Sequence, residues 1–440
     1  MTILESDNAT LPRFTATHAY RYYVLGIMLL LGAFAWIDRQ ILSIVLQSIK
    51  VEFSFSDTQL GLIGGSAFGL FYATVAIPVA WLADRLNRRA IISISICIWS
   101  VMTALCSLVT GFTGLFLARM GVGIGEAGAS PPAQSMLSDY FPAERRGWIM
   151  GLLYSYVPIS YLVSFGLGGW VNDEIGWRKA FVVFGIPGVL LAALVHITVR
   201  EPPRGYSETV APRSKETAPP GLFEALRYIL RRPTLRRLPF AGAAHAIGMV
   251  GASVWMPSYF IRVHHMTSAA IGIRLALIMG LGGLLGTLSG GFFADRLSKA
   301  RGERWYAGFC AIAILTTLPF TVAIYLSDDP SIALLLFIVP SILNHMVLGP
   351  TFATVQNLTN IRHRALAAAC YLFVVNLISL GFGPVLIGFL SDYLKVRYGD
   401  DGLRYSLLFL ITLASGCAGL FYIASARTLE NDLQRVTEHD

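Results

Sequence analysis

Twelve stretches of this chain are long and apolar enough to cross a lipid bilayer, and that constrains the fold before any motif is read. A spanning helix needs about 20 consecutive apolar residues. Such runs fall at 22–49, 58–83, 90–110, 113–137, 147–171, 179–199, 236–261, 269–294, 305–326, 331–356, 365–394 and 404–426. In lipid every backbone N–H and C=O must find a partner inside the protein, and a helix provides those partners within its own segment. Of the 440 residues 55% are hydrophobic and only 14% charged. Soluble domains carry about 25% charged residues, so this apolar surface cannot be hidden in one aqueous core. The expected class is all-α integral membrane protein. Several runs exceed the thickness of a bilayer, so their helices should tilt or extend into water.

A net charge of +8 could suggest nucleic acid, but the basic residues lie in short loops between apolar runs, as topology requires. No nucleic-acid partner is expected. With the N-terminus inside, 24 Lys and Arg fall in cytoplasmic segments, eight fall outside, and Arg39 and Arg119 lie within helices. The bias predicts a multi-pass protein of the cell membrane (the inner membrane of a bacterium) with both termini cytoplasmic. The first 21 residues lack the pattern of a cleaved signal. Cys97, Cys106, Cys310, Cys370 and Cys417 all lie in apolar runs without a CxxC pair, so neither a disulfide framework nor a metal site is expected. No nucleotide motif is present and no cofactor is expected, so energy must come from ion or solute gradients. The chain is read as a monomer.

The sequence divides into two related halves. "ADRL" at 83–86 returns at 294–297, "RRGWIMG" at 145–151 faces "HRALAAA" at 363–369, and "GWRKAF" at 176–181 faces "GLRYSL" at 402–407. The echoes follow helices two and eight, follow four and ten, and precede six and twelve. Two pseudo-symmetric six-helix bundles account for this, over 1–199 and 236–440. The linker 200–235 opens with the proline-rich "REPPRGYSETVAPRSKETAPPG". It continues with "LFEALRYILRR" (222–232), a basic amphipathic helix that either lies on the membrane lipids of the inner leaflet or packs as an ordinary surface helix.

"PVAWLADRLNRRAI" (78–91) and its echo "GGFFADRLSKARG" (290–302) resemble the loop motif of the major facilitator superfamily, whose twelve-helix plan covers the whole chain. Ala80 and Asn87 stand where that motif commonly has glycine. "RMGVGIGEAGASPPAQSMLSDYFPAERRG" (119–147) is similar to the spinster-like branch, where R-x-x-x-G-x-G-E-A leads into S-D-x-F-P-x-x-R-R-G. "DRQ" in helix one agrees. The resemblance implies a major facilitator fold and movement of amphipathic lipids such as lysophospholipids or sphingosine phosphate, with proton coupling in some members.

The loop charges Asp84, Arg85, Arg88 and Arg89, with Asp295 and Arg296 in the echo, suggest a cytoplasmic gate. An aspartate at a helix C-terminus is disfavoured by the dipole and is better placed at a helix N-terminus. Asp84 would find one at the start of helix eleven and Asp295 at the start of helix five. Such contacts would close the cytoplasmic side and break when it opens. The alternative is topology alone, with arginines holding the loop inside.

Four charges lie inside helices: Asp38, Arg39, Arg119 and Glu126. A lone charge at mid-bilayer costs about 3 kcal/mol or more. At 1.5 Å per residue Asp38 lies roughly 24 Å from the inner end of helix one, and Arg119 and Glu126 lie roughly 9 and 20 Å from the outer end of helix four. The last two are seven residues apart and share a face. Helices one and four line the cavity in repeat-built transporters, so the four should form one cluster. Asp38 and Glu126 are candidate proton carriers, with Arg39 and Arg119 as substrate or charge partners. A permanent structural role, with the acids neutralising the arginines, is the competing reading. Desolvation raises a carboxyl's pKa and a nearby arginine lowers it, so withdrawing the arginine would drive proton uptake.

In the second half, helices seven and ten offer His245, Trp255, Asn344 and His345 as cavity candidates but no carboxylate. One charged and one apolar half would suit a substrate with a charged head and an acyl chain. A small organic anion or an amphipathic drug is the alternative cargo. The glycines of "GLIGGSAFG" (61–69), with Gly282, Gly286 and Gly290, could be the surfaces that slide between halves, or ordinary membrane packing. No HxxH, HExxH or G-x-S-x-G pattern occurs, which argues against an enzyme. Paired halves favour alternating access over a fixed pore.

Overall fold

The computed structural model describes residues 15–83, 85–207, 222–359 and 361–437. Twelve helices run back and forth: α1 (His18–Phe53), α2 (57–83), α3 (Arg88–Leu105), α4 (112–140), α5 (143–175), α6 (Trp177–Thr198), α7 (Pro233–Val263), α8 (Ser268–Arg301), α9 (Trp305–Leu326), α10 (330–357), α11 (Ile361–Tyr398) and α12 (Gly402–Thr437). Each coincides with one of the twelve apolar runs. Ten segments are individually long and apolar enough to cross a membrane. Twelve is reached because α11 and α12 share one tract, Leu366–Arg435, and because α4 is interrupted.

That interruption has a covalent cause. α4 is helical over Phe112–Glu126, turns at 127–129 and resumes at Ser130–Tyr140. Pro131 and Pro132 have no N–H, so the carbonyls of Ala127 and Gly128 lose their helical donors. α10, its counterpart, breaks at Val347, where Pro350 leaves the Met346 carbonyl without its donor. α2 and α5 each contain a π-helical turn, Leu62–Ser66 and Leu162–Leu167. Such turns often mark functional sites in helices, and these two helices pack against the opposite bundle.

The apolar packing divides the molecule into a V. We call the face where α1 begins and α12 ends the termini side, and the other the distal side. At the distal side one core is shared by both bundles: Ile41, Val45 and Phe165 meet Trp255, Leu275 and Ile387. Towards the termini side the core splits in two. Val24, Met28, Trp99 and Leu137 belong to a core of the first bundle, and Leu238, Ile314, Val355 and Tyr422 to a core of the second. The bundles therefore meet at the distal end and part at the termini end.

A pair of matched contacts closes the distal end. Ser56 and Thr267 cap α2 and α8, accepting from Gln59 N at 3.1 Å and Ala270 N at 3.2 Å. The opposite bundle then caps each helix again. The Asp392 carboxylate at the end of α11 accepts from Asp57 N at 2.9 Å and Thr58 N at 2.8 Å. The Asp173 carboxylate at the end of α5 accepts from Ala269 N at 2.7 Å. A carboxylate at a helix N-terminus satisfies orphan N–H groups and complements the dipole. Gly388 and Gly169 permit the approach: a Cβ would fall 2.2 Å from Asp57 O and 2.3 Å from Ser268 O. "GWVND" (169–173) and "GFLSD" (388–392) are one motif used twice.

The first copy of this closure is also ion-paired. Asp57 is fully buried and receives both terminal nitrogens of Arg262, at 2.7 and 3.0 Å, the hydroxyl of Ser391 at 2.6 Å, and the Lys50 ammonium. In the second copy Ser268 replaces Asp57 and bonds Asn172 Nδ2 at 2.9 Å. The glycines of α2 do face the other bundle, with Gly61, Gly65 and Gly69 against Leu380, Pro384 and Val385 of α11. Gly282, Gly286 and Gly290 do not. They pack on Ser341, Ile342 and Met346 of α10, inside their own bundle, while Gly272 of α8 meets Phe165 of α5. Small-residue spacing marks a close helix contact without naming the partner helix.

The described part of the linker divides between the bundles. Glu201 and Gly205 bond to the first. The helix Leu222–Arg231 docks on the second: Tyr228 stacks on His363 at 4.3 Å and its hydroxyl donates to Leu358 O at 3.2 Å. Residues 208–221, most of the proline-rich stretch, lie outside the described residues.

Candidate functional site

The charges of α1 and α4 come together because small residues of α4 let it pack closely on its neighbours α2 and α3. A Cβ on Gly123 would meet Phe68 O of α2 at 2.5 Å, and one on Gly125 would meet Trp99 N of α3 at 2.6 Å. α4 therefore packs directly on α2 and α3 and presents Glu126 to α1. Arg39 Nε donates to Glu126 Oε2 at 2.7 Å. The Glu126 side chain is 1% exposed and that of Arg39 20%, so the pair has one buried and one partly open member.

The guanidinium of Arg39 lies within an aromatic cage. Its carbon is 4.7 Å from the Tyr72 ring centroid, 4.8 Å from Phe68 and 5.6 Å from Trp36. Arg119 approaches Phe68 at 5.7 Å. The ring quadrupoles attract both cations and replace part of the water they lack.

Asp38 and Arg39 are neighbours whose side chains leave the helix about 100° apart, and they have different surroundings. Asp38 is buried and accepts from the Thr103 hydroxyl of α3 at 3.1 Å. Arg119 Nη1 donates at 3.1 Å to the backbone carbonyl of Asp38. The four residues are thus contiguous, but only Arg39 and Glu126 are ion-paired. Asp38 Oδ1 and Glu126 Oε1 have no hydrogen-bond partner among the described residues, so each acid has an oxygen able to hold a proton. Phe68, Tyr72 and Thr103 were not marked as site residues by the sequence. The aromatic pair four apart on α2 was the available signal.

The second-bundle candidates are held by packing and backbone bonds. His245 Nε2 pairs with Asn344 O at 3.1 Å and His345 Nδ1 with Ser341 O at 2.8 Å. Asn344 itself is partly exposed. Trp255 departs from the expectation of a cavity residue. It is fully buried in the shared distal core and donates Nε1–H to Pro384 O at 2.9 Å. Its large ring fills the contact between α7 and α11, where burial yields more than exposure would.

The loop charges serve their own bundles in this arrangement. Arg88 is buried and binds Glu201 at 2.7 Å, Asp139 at 2.5 Å, Ser135 at 3.0 Å and Pro202 O at 3.0 Å. Arg89 N donates to Glu201 Oε2 at 2.9 Å. Arg85 stacks on Trp81 at 3.8 Å. Asp295 accepts from Tyr306 at 2.5 Å, within its own bundle rather than at the start of α5, and Arg296 is exposed. Asp84 lies outside the described residues. Arg88→Met is expected to cost about 3 kcal/mol, since two carboxylates lose their buried counter-ion. Thermal unfolding in detergent would read this as a clear fall in midpoint, with Arg85→Gln nearly unchanged.

Comparison with known proteins agrees with this geometry. Residues 28–384 match the family description Major Facilitator Superfamily. An MFS-type efflux pump of Mycolicibacterium smegmatis is 31% identical over 408 residues, 92% of each chain. The sphingosine-1-phosphate transporter SPNS2 of Danio rerio is 27% identical over 439 residues, 94% of this chain and 85% of that one. A crystal structure of a bacterial homologue of the human lysosomal transporter spinster, inward-facing and unoccupied, superposes with a TM-score of 0.85 at 29% identity, covering 95% of this chain and 99% of that one. Matched sequence, twelve helices in two bundles and a charged centre converge: this multi-pass membrane protein belongs to the Major Facilitator Superfamily and is a secondary transporter, not an enzyme.

Proposed function

We propose that the chain moves an amphipathic lipid with a charged head, such as a lysophospholipid or sphingosine phosphate, by proton-coupled alternating access. The observation that carries this reading is the Arg39–Glu126 pair, its cation partly open and its acid buried. A substrate phosphate or carboxylate competes with Glu126 for the Arg39 guanidinium, which suits bidentate anions. The acid released from its cation then takes a proton, because a carboxylate in apolar surroundings is held ionised by its partner. Asp38, bonded to Thr103, is the second proton carrier, and Arg119 fixes the α1 backbone beside it. The charged first bundle faces a second bundle that offers His245, Asn344 and His345 among apolar side chains, which accommodates an acyl chain. With both termini cytoplasmic, as the Lys and Arg bias predicts, the V opens inward and the contacts of Asp57 and Asp173 form the outer gate. Asp84 and Asp295 would close the inner side in the other state.

The similarity to a sphingosine-phosphate transporter supports the lipid reading. The similarity to an efflux pump favours the alternative, a carrier of amphipathic drugs or small organic anions held by the same arginines. Counterflow in liposomes containing the purified chain separates them. Labelled lysophospholipid should move saturably and be displaced by other single-chain lipids. Displacement by small carboxylates alone would replace the lipid reading with the anion carrier.

A further inference from the structure

A second apolar groove lies away from the central site, between α9 and α12 at the termini side. Its volume is about 490 Å3, within the ordinary range for small-molecule sites. Gly308, Ala311, Ile312 and Leu315 line one wall, and Ile423 and Ala426 the other. Ile312 is 53% exposed on the outer surface of the bundle, so this groove faces the surrounding lipid, not the interface between bundles.

The mouth of the groove is basic. Arg304 and Arg427 line it, and Arg301 lies beside them with its guanidinium 5.3 Å from the Trp305 ring. None of the three has an ion-pair partner among the described residues, whereas other arginines of the molecule, such as Arg88 and Arg262, do. The one acid present, Glu430, accepts from the Arg304 backbone N–H at 3.4 Å, so its charge is directed to the start of α9. Trp305, the first residue of α9, is of a type favoured at membrane–water interfaces, where its amphipathic ring suits both sides.

We propose that this groove is a binding site for an anionic phospholipid: one acyl chain along Gly308–Leu315 and the phosphate between Arg304 and Arg427. Basic pockets between helices at a membrane surface are suited to anionic headgroups, and guanidinium pairs phosphate in a forked geometry. The excess of positive charge disfavours a choline head. The site is separate from the transport path, so its ligand is a bound lipid of the bilayer and not the cargo.

The test uses the full chain, delipidated in detergent and titrated with phosphatidylglycerol or phosphatidylcholine, with thermal midpoint as the readout. Phosphatidylglycerol should give a gain at least about 2 °C larger than phosphatidylcholine. That difference should vanish in Arg304→Gln/Arg427→Gln and shrink in Ile312→Trp, which fills the groove and keeps the charges. Equal gains from both lipids in the wild type would overturn the proposal, as would a difference that survives in both variants. A full gain from glycerol phosphate alone would also overturn it, since the groove would then have no part in binding.

Discussion

Replacing Glu126 with glutamine is expected to leave a folded carrier that exchanges substrate but no longer responds to a proton gradient. Glutamine keeps the size of the side chain and an oxygen able to accept from Arg39 Nε, now at 2.7 Å, so α1 and α4 stay together. It cannot gain or lose a proton. Counterflow should remain within a few-fold of wild type, while uptake driven by an imposed pH gradient should fall by about tenfold or more, the usual span of a coupling energy. Asp38→Asn should weaken coupling less, because its carboxylate bonds a neutral hydroxyl, Thr103, and not a cation. If the pair were only structural, Glu126→Gln would lower the thermal midpoint and leave the pH dependence of the surviving protein unchanged.

The second large effect is expected at the distal closure. Asp57→Asn leaves Arg262 and Lys50 without their counter-ion at a contact where the Arg262 side chain is 5% exposed. Breaking a buried pair in this way costs about 3–5 kcal/mol, and the cost falls on the distal-closed state alone, because opening gives both cations water. Each 1.4 kcal/mol is tenfold, so the equilibrium should move by about 10²-fold or more towards distal-open. Spin labels at Val51→Cys and Asp400→Cys, with the five native cysteines replaced, would read it as a longer distance across the distal mouth. Asp173→Asn should do less, since the second copy of the closure has no buried cation. An unchanged distance in Asp57→Asn would mean that apolar packing alone holds the gate.

Much of this was legible in the sequence for identifiable reasons. Apolar run length gave all twelve helices, because lipid leaves the backbone no alternative to a helix. The seven-residue spacing of Arg119 and Glu126 put them on one face, and the cost of isolated charges in lipid required company for Asp38 and Arg39. What stayed hidden depends on partners more than 200 residues away. Asp57 reads as an ordinary first-turn acid until Arg262 and Asp392 arrive from the other bundle. The repeated G-x-x-[NS]-D of 169–173 and 388–392 was available as a signal, but it lies at helix ends where basic loop motifs draw attention elsewhere. Trp255 and the glycines of α8 fail differently: composition places them at a contact, and only the fold says which one.

The central claim is that substrate binding and proton uptake are coupled through one cluster on α1 and α4. It is tested most directly by recording lumenal pH in proteoliposomes when lysophospholipid is added with no gradient imposed. The account predicts a lumenal pH change that follows substrate movement in the wild type and is absent in Glu126→Gln. Saturable substrate movement by the wild type with no pH change would contradict it.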